Sequence, residues 1–127
     1  MEAQADRIAG WTLVAAAALT LLAMAHHPTG AHGGAIGGIV HGAMIALLAA
    51  LAFGFAHFAL RRGLGRPAIL AGLILYFLAF FAHAGAATIN GFVVPALAAG
   101  GEAAVAHDIF RLAWESNQAL ARLGVVA

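Results

Sequence analysis

The sequence predicts an all-α integral membrane protein, a bundle of three or four transmembrane helices of which the last is amphipathic. Hydrophobic residues make up 64% of the 127 residues and charged residues only 9%, whereas a soluble domain averages roughly a quarter charged residues. Long apolar runs separated by short polar turns supply the spans. The length fits one domain that covers residues 1–127.

The first two apolar runs are each long enough to cross a bilayer. Residues 8–25 form a run of 18 and residues 36–60 a run of 25, which only two histidines interrupt. A helix of about 20 residues spans the hydrocarbon core of about 30 Å. We therefore predict the first two membrane spans over these ranges.

The third apolar run is too long for one straight crossing. It begins at Pro67, a residue suited to the first turn of a helix, and continues to Ala99. We predict a span over 67–89 and a break near Asn90-Gly91 or Pro95. The segment after the break would then be re-entrant or interfacial.

The last segment, 107–127, predicts an amphipathic helix. Its polar residues recur at steps of three and four, on one stripe: Asp108, Arg111, Glu115, Gln118 and Arg122. Such a helix either lies in the membrane interface or crosses the membrane with its polar stripe turned into the protein. Because the sequence stops without a charged anchor, we expect the natural chain to continue or a partner to cover this end.

The arginines predict the orientation. The loop from Arg61 to Arg66 contains half of the six basic residues, whereas 26–35 contains none. Positively charged loops face the cytoplasm, so we predict a bacterial inner-membrane protein whose loop and N-terminus, with Arg7, are cytoplasmic.

The second predicted span, helix 2 (36–60), contains a stripe of small residues that predicts close helix packing. Five of them follow one another at a spacing of four: Gly38, Gly42, Ala46, Ala50 and Gly54. Small residues let helices approach closely where lipid provides no hydrophobic drive. An alanine-rich helix also produces such stripes by chance, and the spacing favours the packing role. We therefore expect helix 2 at the centre of the bundle.

Seven histidines are the main anomaly in so apolar a chain. At the helical rise per residue, His41 lies about 28 Å and His83 about 24 Å above the arginine loop. We expect the two at similar height near the outer boundary, as a candidate cofactor pair. Four more histidines are expected on that side as candidate metal ligands: His26, His27, His32 and His107. His57 lies near the arginine loop and is assigned no function.

Imidazole nitrogens bind transition metals and are axial ligands of haem. The small residues Gly37 and Ala79, one turn before His41 and His83, leave room for a flat macrocycle. The spacing from Ala79 to His83 resembles the pigment-binding pattern of bacterial light-harvesting polypeptides over five residues. The cofactor could thus be haem or a histidine-ligated transition metal. The alternatives are a solvated polar turn at 26–32 and histidines that only hydrogen-bond between helices.

Composition also excludes several classes of function. The chain has no cysteine, which removes disulfides, thiolate metal ligands and iron–sulfur clusters. A net charge of +1 produces no positive electrostatic field that would attract nucleic acid. The only serine, Ser116, lacks the context of a nucleophile.

Three functions remain. The leading hypothesis is a metal or haem site at the outer face, in a small subunit of a membrane redox or metal-handling system. The alternative is a non-catalytic structural or assembly subunit, with lipid and other membrane proteins or a second copy as partners. The third is an enzyme or transporter whose pathway is lined by charged residues of the last helix: Asp108, Arg111, Glu115 and Arg122.

Overall fold

The structure is a computed structural model that describes residues 2–26, 34–99 and 105–126. It contains the helices α1 (Glu2–Ala25), α2 (Gly34–Arg62), α3 (Pro67–Thr88), α4 (Val94–Ala99) and α5 (Val105–Val126), with a π-helical turn (Ile89–Val93) between α3 and α4. Because α3, the π-turn and α4 follow one another without a gap, the chain forms four helical rods. The predicted all-α class is confirmed.

Three of these rods are long and apolar enough to cross a membrane. They are Glu2–Ala25, Ile36–Arg62 and Pro67–Leu97, and α5 does not qualify within the described part of the chain. The third rod continues through the region of the expected break, which contains the π-turn and no chain reversal. The protein is therefore an integral membrane protein with three apolar spans and one C-terminal amphipathic helix.

Small residues form the interior, and large apolar residues face outward. In the part of the chain whose burial is described, the buried apolar residues are seven alanines and one valine: Ala9, Ala16, Ala52, Ala59, Ala82, Ala86, Ala87 and Val94. Leu21, Ile39 and Trp11 are each exposed by more than two thirds. Since lipid solvates large apolar side chains as well as a protein core does, helix association depends on close backbone approach instead. This arrangement is the one expected of a membrane protein.

The rods pack in the order α1, α2, α3, α5, each on the next. The π-turn packs on α2 and α5, and α4 packs on α5. By contrast, α1 and α5 share no extensive contact among the described residues. The four rods therefore surround a space that is not closed between the first and the last of them.

The turn between α2 and α3 depends on Gly63 and Pro67. Gly63 has a φ of 93°, a left-handed conformation that glycine adopts without a steric penalty. Its N–H donates to the carbonyl of Ala59 at 3.0 Å, which caps α2. Pro67 begins α3 as the sequence predicts. This short turn makes α2 and α3 antiparallel neighbours.

The small residues of α2 do not all face one neighbour. Gly38 and Gly42 lie against the ring of Phe92 in the π-turn, whereas Gly54 lies against Leu13 of α1. A spacing of four on a helix of 3.6 residues per turn rotates each position by about 40°, so the first and last of the five differ by about 160°. Small residues thus pack α2 against two different helices.

Candidate cofactor site

A cavity of ≈ 600 Å³ lies between the four rods, at the place where α1 and α5 do not meet. Cavities of about 300–1,000 Å³ are typical of small-molecule and cofactor sites. Every rod contributes to its lining; the polar and sulfur-containing members are Thr20, Met24, His41, Met44, His83, Asn90, Trp114, Asn117 and Gln118. Among the described residues, no arginine, aspartate or glutamate lines it. The cavity is consequently a mostly neutral site that both predicted cofactor histidines reach.

His41 is buried at 4% exposure and held at both ring nitrogens. Its Nδ1 lies 2.7 Å from the carbonyl oxygen of Gly37, one turn earlier. Because a carbonyl only accepts, Nδ1 carries the proton, and in the neutral ring Nε2 accepts a hydrogen bond from the Asn90 amide at 3.2 Å. Gly91 lets the two helices approach here, since a Cβ at that position would lie 2.5 Å from His41 Cβ.

The π-turn brings Asn90 to His41. Pro95 has no N–H, so the carbonyl of Gly91 lacks its normal helical donor, and the proline ring crowds that carbonyl. The backbone widens by one residue, and the N–H of Val94 donates to the carbonyl of Ile89, five residues earlier. Such π-turns within α-helices frequently occur at functional sites. The sequence signal was Pro95 after Asn90-Gly91, which predicted an irregularity but not its form.

His83 is partly buried and held at one ring nitrogen. Its Nδ1 donates to the carbonyl oxygen of Ala79 at 2.9 Å, so the lone pair of the neutral ring lies on Nε2. No hydrogen bond to Nε2 is present within the described residues. The end of α5 packs directly on this ring, and a Cβ at Gly124 would overlap it. His83 therefore offers a metal-binding nitrogen in a ring whose orientation is fixed by its partner.

The two histidines occupy different levels of the cavity. His41 packs on Asn90 and Gly91, which are seven and eight residues beyond His83, about 10 Å along the helix axis. This offset is larger than the separation of about 4 Å expected from the sequence. Both rings also lean toward the N-terminus of their own antiparallel helices, away from each other. One ion bonded to both Nε2 atoms at about 2 Å does not fit this arrangement.

α5 contributes amides rather than charges to the cavity. Asn117 is buried at 7% exposure and lines the site with Gln118 and Trp114. The charged residues of the predicted stripe are exposed and line no part of the cavity: Asp108, Arg111, Glu115 and Arg122. Sequence periodicity identified the helix as amphipathic but did not single out Asn117.

The other candidate histidines are not brought into this cavity. His26 is exposed and its Nδ1 donates to the carbonyl of Leu22 at 2.9 Å, and the side chain of His107 is 76% exposed. His27 and His32 lie outside the described residues. Across residues 2–26, 34–99 and 105–126, no group of three or more histidine or acidic side chains could hold a metal ion. The outer cluster predicted from the sequence is thus not shown.

His57 joins α1 to α2 at the end of the molecule near the arginine loop. Its Nε2 lies 2.8 Å from a carboxylate oxygen of Asp6. Arg61 donates to Glu2 at 3.1 Å and to Asp6 at 3.2 Å. No local sequence pattern indicates these contacts, because the paired residues are more than 50 positions apart.

No known protein family matches the chain, and no curated protein and no solved structure is detectably similar to it.

Proposed function

We propose that this protein binds a histidine-ligated cofactor, a haem-type macrocycle, in the cavity between its four helical rods. His83 would hold the cofactor by binding its metal through Nε2. The observation that supports this most is the geometry of that side chain, whose Nδ1 is committed to Ala79 while Nε2 has no partner among the described residues. A metal-bound histidine characteristically donates its other N–H to a carbonyl in this way.

The ligand set favours a macrocycle over a bare ion. A structural transition-metal site takes about four ligands from the protein, and histidines with carboxylates or thiolates usually supply them. The cavity offers one available imidazole nitrogen, in His83, and the thioethers of Met24 and Met44. A porphyrin supplies four nitrogens itself, so one histidine suffices, with or without a methionine on the opposite face.

His41 has a different role in this proposal. Its Nε2 accepts a hydrogen bond from Asn90, and both side chains line the cavity. We propose that His41 and Asn90 hold the outer edge of the cofactor by hydrogen bonds instead of binding its metal.

Spectroscopy of the purified protein tests this function. Haem added to the wild-type protein in detergent should bind at one per chain and give the sharpened visible bands of a histidine-ligated iron. Elemental analysis should find iron in stoichiometric amount if the cofactor is retained during purification. A protein that binds haem no better than empty detergent micelles contradicts the proposal and leaves the structural or assembly subunit as the better reading.

The biological setting is a further part of the proposal. A cofactor in an intramembrane cavity suits a small subunit of a membrane redox or metal-handling system, with other membrane chains or a second copy as partners. A separate metal site formed by His26, His27, His32 and His107 stays a prediction.

The proposed orientation places the 63–66 turn in the cytoplasm of a bacterial cell, with the N-terminus on the same side. Because the chain has no cysteine, single-cysteine variants report on topology without background. We expect His26→Cys to react with an impermeant thiol reagent in intact cells and Leu64→Cys to react only after lysis. The opposite labelling pattern would reverse the orientation.

A further inference from the structure

A second, separate groove lies between α2 and α3, in the half of the bundle next to the 63–66 turn. Its volume is ≈ 610 Å³, and it shares no lining residue with the cofactor cavity. The walls are apolar and include Phe55, Phe58, Ile69 and Leu73. The groove is therefore a distinct feature of the lipid-facing surface.

Small residues create this groove. Ala59 and Ala68 line it together with Gly72, and a Cβ at Gly72 would meet nothing within 4 Å. The rings of Phe55 and Tyr76, 4.6 Å apart between centroids, form part of its wall. The groove is therefore open to an apolar chain from the surrounding membrane.

The length of the groove matches the hydrocarbon thickness of one bilayer leaflet. It extends from Arg62 to Ala79, and Ala79 lies twelve residues beyond Pro67, about 18 Å along the helix. Half of a hydrocarbon core of about 30 Å is about 15 Å. One acyl chain of one leaflet therefore spans the groove.

A single charged residue, Arg62, lies at the end of the groove where a lipid headgroup would be. The neighbouring Arg61 is already paired with Glu2 and Asp6. Neither Arg62 nor Arg66 forms an ion pair in the described part of the chain. Arg62 at the end of an apolar groove complements a net negative phospholipid headgroup, since basic sites between helices bind such lipids. Arg66, in the same turn, adds a second cation without an ion pair among the described residues.

We propose that this groove binds an anionic phospholipid of the leaflet next to the 63–66 turn, with its phosphate on Arg62 and an acyl chain along Gly72. The site is independent of the cofactor and does not require it.

The test compares lipid binding by four variants in mild detergent, with phosphatidylglycerol and phosphatidylcholine as probes and native mass spectrometry as the readout. Wild-type protein should retain phosphatidylglycerol in preference to phosphatidylcholine. Arg62→Gln should reduce that preference by about fivefold, the contribution of one basic residue near an anionic lipid. Arg7→Gln removes an arginine near the N-terminus that does not line the groove and should leave the preference unchanged.

Gly72→Leu should fill the groove and abolish retention of either lipid. Gly10→Leu is its matched control, because a Cβ at Gly10 also meets nothing within 4 Å. Equal retention of the two lipids by the wild type, or equal loss in Arg62→Gln and Arg7→Gln, would overturn the proposal. A change of oligomeric mass in Gly72→Leu would overturn it too, and would assign the groove to a second copy of the chain.

Discussion

Replacing His83 by alanine is expected to abolish cofactor binding while the protein stays folded. The side chain is only partly buried and its Nδ1 bonds within its own helix, so its loss removes the contact with Gly124 but no hydrogen bond between helices. Removing even an outer partner of a metal ligand typically costs about 10–100-fold in affinity, and removing the ligand itself costs more. We therefore expect haem affinity to fall by at least about 100-fold, as measured by absorption titration.

Two other histidine variants provide the comparison for the haem affinity of His83→Ala. His107→Ala removes an exposed imidazole outside the cavity and should bind haem as the wild type does. His41→Ala should weaken binding by an intermediate amount, because it loses hydrogen bonds at the edge of the cofactor and no metal bond. If His41→Ala abolishes binding and His83→Ala does not, the ligand assignment is reversed.

Gly91→Ala is expected to destabilise the bundle at the contact between α2 and the π-turn. The new Cβ would lie 2.5 Å from His41 Cβ and 2.9 Å from Cγ, atoms that cannot move away without moving α2. Overpacking of this kind costs typically 1–3 kcal/mol, more than the gain of roughly 1 kcal/mol from replacing glycine by alanine in a helix. We expect a lower midpoint of thermal unfolding in detergent and a loss of the bond between Asn90 and His41.

Two other glycines provide the controls for this measurement. A Cβ at Gly42 would lie 3.6 Å from the Phe92 ring, an ordinary contact, and one at Gly10 would meet nothing within 4 Å. Gly42→Ala and Gly10→Ala should therefore be as stable as the wild type or more stable. An unfolding midpoint for Gly91→Ala that equals that of Gly10→Ala would show that His41 does not pack on Gly91.

The sequence was sufficient to predict the fold because each step depended on local pattern. Apolar runs fixed the spans, Pro67 fixed the start of α3, and the periodic charges after Asp108 fixed the amphipathic character of α5. None of these inferences depends on which helices are in contact. The widened turn near Pro95 was located for the same reason, since a missing N–H disturbs a helix wherever it occurs.

The site was harder to predict because it depends on register between helices. Counting residues from the turn puts His41 and His83 at similar height, whereas His41 meets Asn90, seven residues beyond His83. The face of α2 that each small residue occupies was also not predicted. Residues spaced by four gradually rotate around a helix, so Gly54 packs on α1 whereas Gly38 packs on the π-turn.

Other members of the site carried no signal of their own. In the sequence, Asn117 lies among the charged residues of α5, and no pattern separates it from an exposed amide. In the structure it is buried at 7% exposure. Met24 and Met44 lie within apolar runs where no pattern distinguishes them, and both line the cavity. Contacts between residues far apart in sequence, such as His57 with Asp6, are likewise invisible to local pattern.

Chemical rescue of His83→Gly tests the assignment of His83 as the cofactor ligand most directly. The glycine variant lacks the ring, and the space it vacates between α3 and Gly124 would admit free imidazole. We predict that this variant binds haem poorly alone and that millimolar imidazole restores the wild-type absorption bands. Imidazole should not restore the weakened haem binding of His41→Ala, whose His83 is intact. Haem binding by His83→Gly that is unchanged without imidazole, or that imidazole fails to restore, would contradict the proposed role of His83.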